Sequence, residues 1–252
     1  MFQIERQAAI VDYLKDHKKS SVDELCIYFG VSKATIRRDI TELAADGRII
    51  KTHGGVLYPD YMLQPETPYL QKKDINAPSK QKIGKAAASL LEDGDVIAVD
   101  SGSTTVEMIR QISVPITLLT HDLNVAMAAA ENSNIRTILS AGEIRPGQYA
   151  LSGCCVTEFY RNHRVMKAFL ACDAVDMDSG LWTATPEEAC IKQEILRSAS
   201  TAILLTDHTK FSTATFCAVC RLDAIHCIVS DHFSPAVQQS LEEKGIAWIR
   251  AV

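Results

Sequence analysis

Short apolar runs alternate with amphipathic segments from residue 95 onward. Runs such as DVIAVD, ITLLT and TAILLTD have the length and composition of buried strands, and segments with helical periodicity separate them. This order is typical of a parallel sheet whose strands are joined by right-handed helical crossovers. We therefore predict an α/β domain over residues 79–252, and we expect its ligand site beyond the carboxyl ends of the strands.

The length, charge and cysteine content of the chain limit its class. A chain of 252 residues that is 47% apolar can bury the core of one large domain or two smaller ones. It has no apolar run of about eighteen residues, and its N-terminus carries charges where an export signal has an apolar stretch. We therefore expect a cytoplasmic protein without a membrane segment, whose eight cysteines are reduced.

Three short helices are predicted before residue 46. The first covers residues 4–16 and has apolar residues at helical spacing. Ser21 and Glu24 match the capping-box pattern at the start of the second, and Gly30 permits the tight turn that ends it. Ser32 can cap the third helix. The residues predicted to face the core are Ile4, Ala8, Val11, Leu14, Leu25, Tyr28, Phe29, Ile36, Ile40 and Leu43.

The third helix leaves basic and hydroxyl side chains on its outer face. A helix-turn-helix presents the N-terminal part of its second helix to the major groove, so Arg37 and Arg38 fall where bases are read. The strand-like runs RIIKT and GVLY flank His53 and two glycines, which resembles the hairpin wing of a winged helix. Since the net charge is only -5, any DNA-binding surface must be local. The predicted DNA contacts are Ser32, Lys33, Thr35, Arg37, Arg38, Arg48, Lys51 and His53.

A proline-rich stretch follows the predicted wing. Residues 58–78 hold four of the chain's eight prolines, and we predict a stiff, extended linker there. Ser79 then has the position of an N-cap for the next helix. The predicted boundaries are a DNA-binding domain at residues 1–57, a linker at 58–78 and an α/β domain at 79–252.

A loop of small residues follows the first predicted strand of the α/β domain. The strand ends at Asp100, and the sequence SGSTT then leads directly into a helix. Backbone N–H groups and hydroxyls at such a helix start favour a bound anion. We therefore predict a phosphate-binding loop made of Ser101, Gly102, Ser103, Thr104 and Thr105.

Two stretches resemble the DeoR family of bacterial transcription regulators. The run VSKATIRRDITELAADGRIIKTHGGV is similar to the DNA-reading signature of that family, in register over residues 5–57. Residues 80–252 resemble its sensor domain, whose fold is akin to ribose-5-phosphate isomerase and glucosamine-6-phosphate deaminase. The resemblance implies a repressor of a carbohydrate-utilisation operon. Such a protein binds double-stranded operator DNA as a homo-oligomer, a dimer or a tetramer, and a phosphorylated sugar effector relieves repression.

The resemblance also extends the predicted effector site beyond the loop. It implies roles for Asp100, Gly142, Gly153, Gly180, Glu188, Lys192, Asp207 and Lys210. The chain departs from the family where Thr120-His121-Asp122 replaces the usual Thr-Asn and where Ala141 replaces a glycine. We include His121 in the predicted site. These departures either change which sugar is accepted or reflect a displaced site, and the sequence leaves both open.

Two other functions remain open from the sequence. The chain is alternatively a sugar-phosphate isomerase-like or deaminase-like enzyme, with Asp100, Glu188 and Lys210 as acid, base and electrostatic stabiliser. A thiol-based redox regulator is the other alternative, and it would use some of the eight cysteines. No cofactor is expected.

One group of cysteines has a spacing that is compatible with a metal site. Cys217-x-x-Cys220, followed by His226-Cys227, has the spacing of paired zinc ligands. The same segment also fits a strand, a turn and a buried strand in which cysteine acts as a small hydrophobe. We favour the second interpretation and predict no metal site.

Overall fold

An N-terminal part of helices and short strands is the first unit of the fold. The computed structural model describes residues 2–51, 55–59, 66–213 and 215–252. The elements of this part are α1 (Gln3–His17), β1 (Lys19–Ser21), α2 (Val22–Phe29), α3 (Lys33–Ala45), β2 (Ile50–Lys51) and β3 (Gly55–Leu57). The strands form one antiparallel sheet in the order β1-β3-β2.

The local signals for α2 and α3 are confirmed. Ser21 and Glu24 form a capping box at the start of α2, and Gly30 ends it in the left-handed conformation. Ser32 caps α3 by accepting the N–H of Thr35 at 3.2 Å. The pairing of β2 with β3 confirms the hairpin predicted after α3, whereas residues 52–54, which include His53, lie outside the described part.

The face predicted for α1 is partly wrong. Ile10 and Leu14 are fully buried, but the Ile4 side chain is 82% exposed and Ala8 is also exposed. The first turns of α1 contact α3 through the polar side chains of Arg6 and Gln7 instead. The apolar residues of α1 are spaced so that two faces of the helix match an inward pattern. The contacts of Arg6 and Gln7 with α3 determine which of the two faces packs inward. Tyr28 of α2, also predicted to be inward, is 64% exposed.

The expectation of an extended linker is wrong for the described residues between 66 and 78. Helix α4 (Tyr69–Lys72) lies within this stretch, and α5 (Ala77–Ala88) begins before its end. Pro68 is the N-cap of α4, and Pro78 lies in the first turn of α5. Proline lacks only an N–H that the first turn does not use, so it starts helices as readily as it interrupts them. Asn76, and not Ser79, is the N-cap of α5.

A seven-stranded parallel sheet forms the centre of the C-terminal part, as predicted. Its strand order is β15-β14-β12-β9-β4-β5-β6, and every pairing in it is parallel. The elements after α5 are β4 (Val96–Val99), α6 (Ser103–Ile109), β5 (Ile116–Thr120), α7 (Leu123–Ala130), β6 (Ile135–Leu139), β7 (Glu143–Ile144), β8 (Leu151–Ser152), α8 (Cys154–Arg161), β9 (Val165–Leu170), β10 (Ala174–Asp176), β11 (Gly180–Thr183), α9 (Pro186–Ser198), β12 (Ala199–Leu205), β13 (Cys217–Cys220), β14 (Cys227–Ser230), α10 (Pro235–Glu243) and β15 (Ala247–Arg250).

The strand order reverses between β4 and β9. From β4 the chain adds β5 and β6 on one side, and it then returns to place β9 on the other side. Loops that leave such neighbouring strands diverge and open a crevice at their carboxyl ends. A β7-β8 hairpin and an antiparallel sheet in the order β10-β11-β13 add further loops to the domain. Within the ranges described, no helix combines the length and apolarity required to cross a membrane.

Candidate functional sites

The outer face of α3 carries the side chains predicted to read DNA. Lys33, Arg37 and Arg38 are exposed, while Thr35 is half-buried. The hydroxyls of Ser32 and Thr35 are 2.9 Å apart, so both residues take part in the helix cap. The predicted cations therefore lie on the first turns of one capped helix.

These cations are weakly engaged. Lys33 pairs with Asp23 at 2.6 Å, and Arg38 pairs with Glu42 at 3.3 Å, all four side chains being substantially exposed. Exposed ion pairs of this kind contribute little to the free energy of folding, so Lys33 and Arg38 can readily exchange these partners for other anions. Arg37 has no ion-pair partner among the residues that the structure describes.

The structure separates the other predicted DNA contacts. Lys51 on β2 donates to the Thr41 hydroxyl of α3 at 3.3 Å, which places it beside that helix. Arg48 is exposed, but its N–H donates to the Leu43 carbonyl at the C-terminal end of α3. Arg48 thus lies at the opposite end of the helix from Lys33. His53 is outside the described residues.

A buried ion pair between α1 and α3 was not predicted. The Arg6 guanidinium donates to both oxygens of Asp39, whose side chain is only 1% exposed. Gln3 and Gln7 of α1 also donate to Glu42 of α3. A signal was present in the sequence, because Asp39 lies between the inward positions of the same helix. The pair fixes α3 against α1 and so orients the exposed arginines.

A cavity of about 230 Å³ lies at the crevice between the ends of β4 and β9. The loops after these strands and after β12 form its walls, together with the segment before α5. The predicted effector residues that line it are Ser101, Gly102, Ser103, Thr104, Glu188, Asp207 and Lys210. The predicted residues that do not line it are Asp100, Thr105, His121 and Gly142.

The loop after β4 has a geometry suited to an anion. The first helical bond of α6 runs from the Val106 N–H to the Gly102 carbonyl, so the amides of residues 103–105 precede any intrahelical bond. A Cβ on Gly102 would lie 2.9 Å from the Ala171 Cβ, which explains the need for glycine. Thr105 is buried, and its hydroxyl lies 3.0 Å from the Asp100 carbonyl and 2.7 Å from that of Gly102. Thr105 therefore stabilises the conformation of the loop and does not line the cavity.

Asp100 supports the cavity from beneath its wall. Its carboxylate pairs with the Lys192 ammonium and accepts the Ala171 N–H at 3.0 Å. Lys192 also contacts Glu188 at 3.3 Å. Burial alone would lower the pKa of Lys192, but Asp100 and Glu188 outweigh it and raise that pKa. Lys192 is therefore charged and lines the cavity.

His121 is a buried neutral side chain. Burial, reinforced by the cations Lys192 and Arg145, lowers its pKa to about 3. Its Nδ1 lies 2.9 Å from the Tyr160 hydroxyl, and its exposure is 1%. Next to it, Asp122 caps α7, and burial raises the Asp122 pKa to about 7. The position that departs from the family pattern is thus buried against Tyr160 and does not line the cavity.

Gly142 has a packing role in this structure. A Cβ there would lie 2.6 Å from the Ser152 carbonyl, so glycine permits the close approach of the β7-β8 hairpin. Gly153 is the N-cap of α8 and Gly180 lies in β11, and neither lines the cavity.

Several charged residues of the cavity were missed by the sequence analysis. They are Glu66, Lys72, Lys80 and Asp173, with Arg145 behind them. The Lys80 side chain is buried, donates to the Lys72 carbonyl, and has a pKa lowered to about 8 by burial. Lys72 falls in the stretch predicted to be a linker and Lys80 in the helix predicted after it, and no local pattern distinguishes either lysine from a solvated one.

The cysteine-rich segment adopts the favoured arrangement of two strands. Cys217 and Cys220 begin and end β13, which pairs with β11, and Cys227 begins β14. The His226 ring accepts the N–H of Ala202 at 3.1 Å. Over the ranges that the structure describes, no cluster of three metal-ligating side chains is formed.

Both parts of the chain match known family models. Residues 6–61 match the DeoR-like helix-turn-helix domain, and residues 75–232 match the DeoR C terminal sensor domain. The regulator GlpR of Haloferax volcanii is 31% identical over 255 residues, covering 100% of this chain and 99% of that protein. The repressor GlcR of Bacillus subtilis is 29% identical, covering 98% and 95%. The glycerol-3-phosphate regulon repressor of Escherichia coli is 26% identical, covering 98% of each.

Solved structures give more distant similarities. The sorbitol operon regulator SorC from Klebsiella pneumoniae has 12% identity and a TM-score of 0.42, covering 97% of this chain and 99% of that one. Ribose 5-phosphate isomerase A from Methanocaldococcus jannaschii has 23% identity and a TM-score of 0.36, covering 54% of each chain.

Proposed function

The chain belongs to the DeoR family of transcription regulators, and we propose that it is a cytoplasmic repressor released from operator DNA by a phosphorylated sugar. The matched models and the relatives are regulators by name, so the enzyme alternative is not favoured. In this proposal α3 enters the major groove, and the cavity between β4 and β9 receives the effector.

The observation that carries the effector proposal is the composition of the cavity. Ser103 and Thr104, whose amides precede the first helical bond of α6, line a space that Lys72, Lys80, Lys192 and Lys210 also line. Backbone donors and ammonium groups are what a phosphate monoester requires. Acidic and hydroxyl side chains on the same walls can bind sugar hydroxyls. One relative is named for a glycerol-3-phosphate regulon, which supports a small phosphorylated ligand.

In the DNA proposal, Thr35, Arg37 and Arg38 contact bases and phosphates. Lys33, Arg48 and Lys51 position the module on the duplex, since phosphate contacts fix register without reading sequence. Winged modules of this kind gain specificity from repeated half-sites, so we propose a homo-oligomer, a dimer or a tetramer. To change operator occupancy from nearly full to nearly none, the effector must bind the DNA-incompetent state more favourably than the DNA-competent state by about 5.5 kcal/mol.

The test is a fluorescence-anisotropy titration of the full chain on its own upstream DNA at about 150 mM salt. We expect binding that resists non-specific competitor DNA and that one sugar phosphate weakens at least about tenfold, or about 1.4 kcal/mol. The unphosphorylated form of the same sugar is the control and should leave DNA binding unchanged. Absence of specific binding would refute the proposed function, and binding that no sugar phosphate alters would refute its effector half.

A further inference from the structure

The Glu66 carboxylate occupies the cavity like a bound ligand. It lines the cavity, its side chain is only 10% exposed, and it belongs to neither a helix nor a strand. One of its oxygens lies 3.2 Å from the Lys72 ammonium, and the other pairs with the Arg145 guanidinium. Two cations from different parts of the chain thus converge on one carboxylate.

Glu66 differs from the other carboxylates of the cavity in how it is held. Asp173 and Asp207, which line the cavity, and Asp100, which lies beneath it, each accept a backbone N–H, from Ala184, Thr209 and Ala171 respectively. Glu188 lies on α9 and is bound to Lys192 and to the Thr183 hydroxyl. The contacts found for the Glu66 carboxylate in the described structure are to side-chain cations. It is therefore the carboxylate that can leave at the smallest structural cost.

The charges around the cavity are balanced only while Glu66 is present. The acidic groups are Glu66, Asp100, Asp173, Glu188 and Asp207, and the basic groups are Lys72, Lys80, Arg145, Lys192 and Lys210. A phosphate monoester adds a charge of about -1.5 to -2 near neutral pH. Like charges in a partly buried space repel strongly, so entry of such an anion favours departure of one carboxylate. Burial and the neighbouring Glu188 raise the pKa of Glu66, which is consistent with a crowded anion.

We propose that Lys72 and Arg145 form an anion subsite that Glu66 fills as an internal ligand, and that an anionic group of the effector displaces it. The proposal rests on the proposed function, because it concerns the same cavity. Glu66 lies in the segment that joins the DNA-binding part to α4. Tyr69, the first residue of α4, donates its N–H to the Gly147 carbonyl at 2.9 Å. Displacement therefore loosens this connection, and ligand binding is coupled to the DNA-binding part through it.

The first test is calorimetric titration of the full chain with inorganic phosphate. Glu66→Gln keeps the shape of the side chain but removes its charge, and we expect it to bind phosphate about tenfold more tightly than the wild type. Glu143→Gln is the matched control, since Glu143 is exposed on the hairpin that carries Arg145. It should bind like the wild type. Adding Lys72→Met to Glu66→Gln should abolish this gain in phosphate affinity.

The second test is hydrogen exchange of the backbone amides of residues 66–73. In the wild type, phosphate should accelerate their exchange, whereas in Glu66→Gln they should exchange fast without phosphate. Equal phosphate affinity in Glu66→Gln and the wild type, including no binding by either, would overturn the proposal. Slower exchange of these amides in the presence of phosphate would also overturn it. Neither measurement uses DNA, so failure of this proposal is distinguishable from failure of specific DNA binding in the anisotropy titration.

Discussion

The Lys192 ammonium pairs with the Asp100 carboxylate where both side chains are almost completely inaccessible, at 1% and 0% exposure. Lys192 also donates to the Ala171 carbonyl at 3.0 Å, and Asp100 accepts the N–H of the same residue. One pair therefore joins the end of β4, the end of β9 and helix α9 at the point where the strand order reverses. The floor of the cavity depends on it.

Lys192→Met should strongly destabilise the C-terminal part. Removing one partner leaves a buried carboxylate unpaired, which costs about 3–5 kcal/mol. The measurement is the free energy of unfolding from urea denaturation followed by circular dichroism. Combining Asp100→Asn with Lys192→Met should recover much of the loss. Arg197→Met on the exposed face of the same helix is the control, and an equal loss there would contradict the assignment.

The order of elements was predictable because most of them have local causes. Ser32 caps α3 and Asp100 follows a buried strand, and both signals lie within a few residues of sequence. The missed residues depend on distant partners. Arg145 reaches Glu66 across 79 positions, and Lys72 reaches Asp173 across 101. Their local sequences look like solvated loops, so only the fold reveals that they meet.

Strand β1 was missed for a related reason. Its three residues, Lys19–Ser21, have no apolar alternation, and the strand exists only because β3 pairs with it. Conversely, His121 looked like a ligand contact because it stands at a strand end, but its ring is buried against Tyr160. Position in the topology indicates where a site lies, whereas side-chain burial decides which residues can reach it.

Asp122 should make the stability of the protein depend on pH. Burial raises its pKa to about 7, so the folded state holds a proton that the unfolded chain releases near pH 4. The stability contributed by this proton is therefore fully present below about pH 4 and is lost as pH rises to about 7, by up to about 4 kcal/mol over that whole range. Asp122→Asn should be more stable than the wild type at pH 8 and should lack this loss in urea denaturation between pH 5 and 8.

The control for that experiment is Asp93→Asn, since Asp93 is exposed. It should keep the pH dependence of the wild type. A wild-type stability that rises between pH 5 and 8, with no difference in Asp122→Asn, would show that Asp122 is ionised in the folded state.

Arg6→Met should loosen the packing of α3 on α1. It leaves the buried Asp39 carboxylate without its charged donors, and such bonds contribute about 1.5–3 kcal/mol. Hydrogen exchange of the amides between residues 36 and 43 should accelerate about tenfold or more, at 1.4 kcal/mol per tenfold. Lys15→Met is the control, because Lys15 and its partner Asp12 are exposed, and it should leave that exchange unchanged.

Arg38→Ala should weaken specific DNA binding by about 1–3 kcal/mol if this residue reads a guanine edge. Its only ion pair among the described residues is the exposed one with Glu42, so the fold itself should be unaffected. Anisotropy titrations at several salt concentrations measure the loss, with Arg164→Ala in the C-terminal part as the control. Equal affinity of Arg38→Ala and the wild type at every salt concentration would remove Arg38 from the interface.

Gly102→Ala should abolish the response to the effector while leaving DNA binding intact. The new Cβ would lie 2.9 Å from the Ala171 Cβ, so the loop after β4 must shift and its amides move away from the anion. The measurement is release of DNA by the active sugar phosphate, with DNA affinity in its absence as the internal control. Adding Ala171→Gly removes the atom that is struck but not the strain of an alanine at a φ of 158°, so it should restore only part of the response. Release by the single variant at wild-type concentrations of sugar phosphate would show that this loop does not hold the effector.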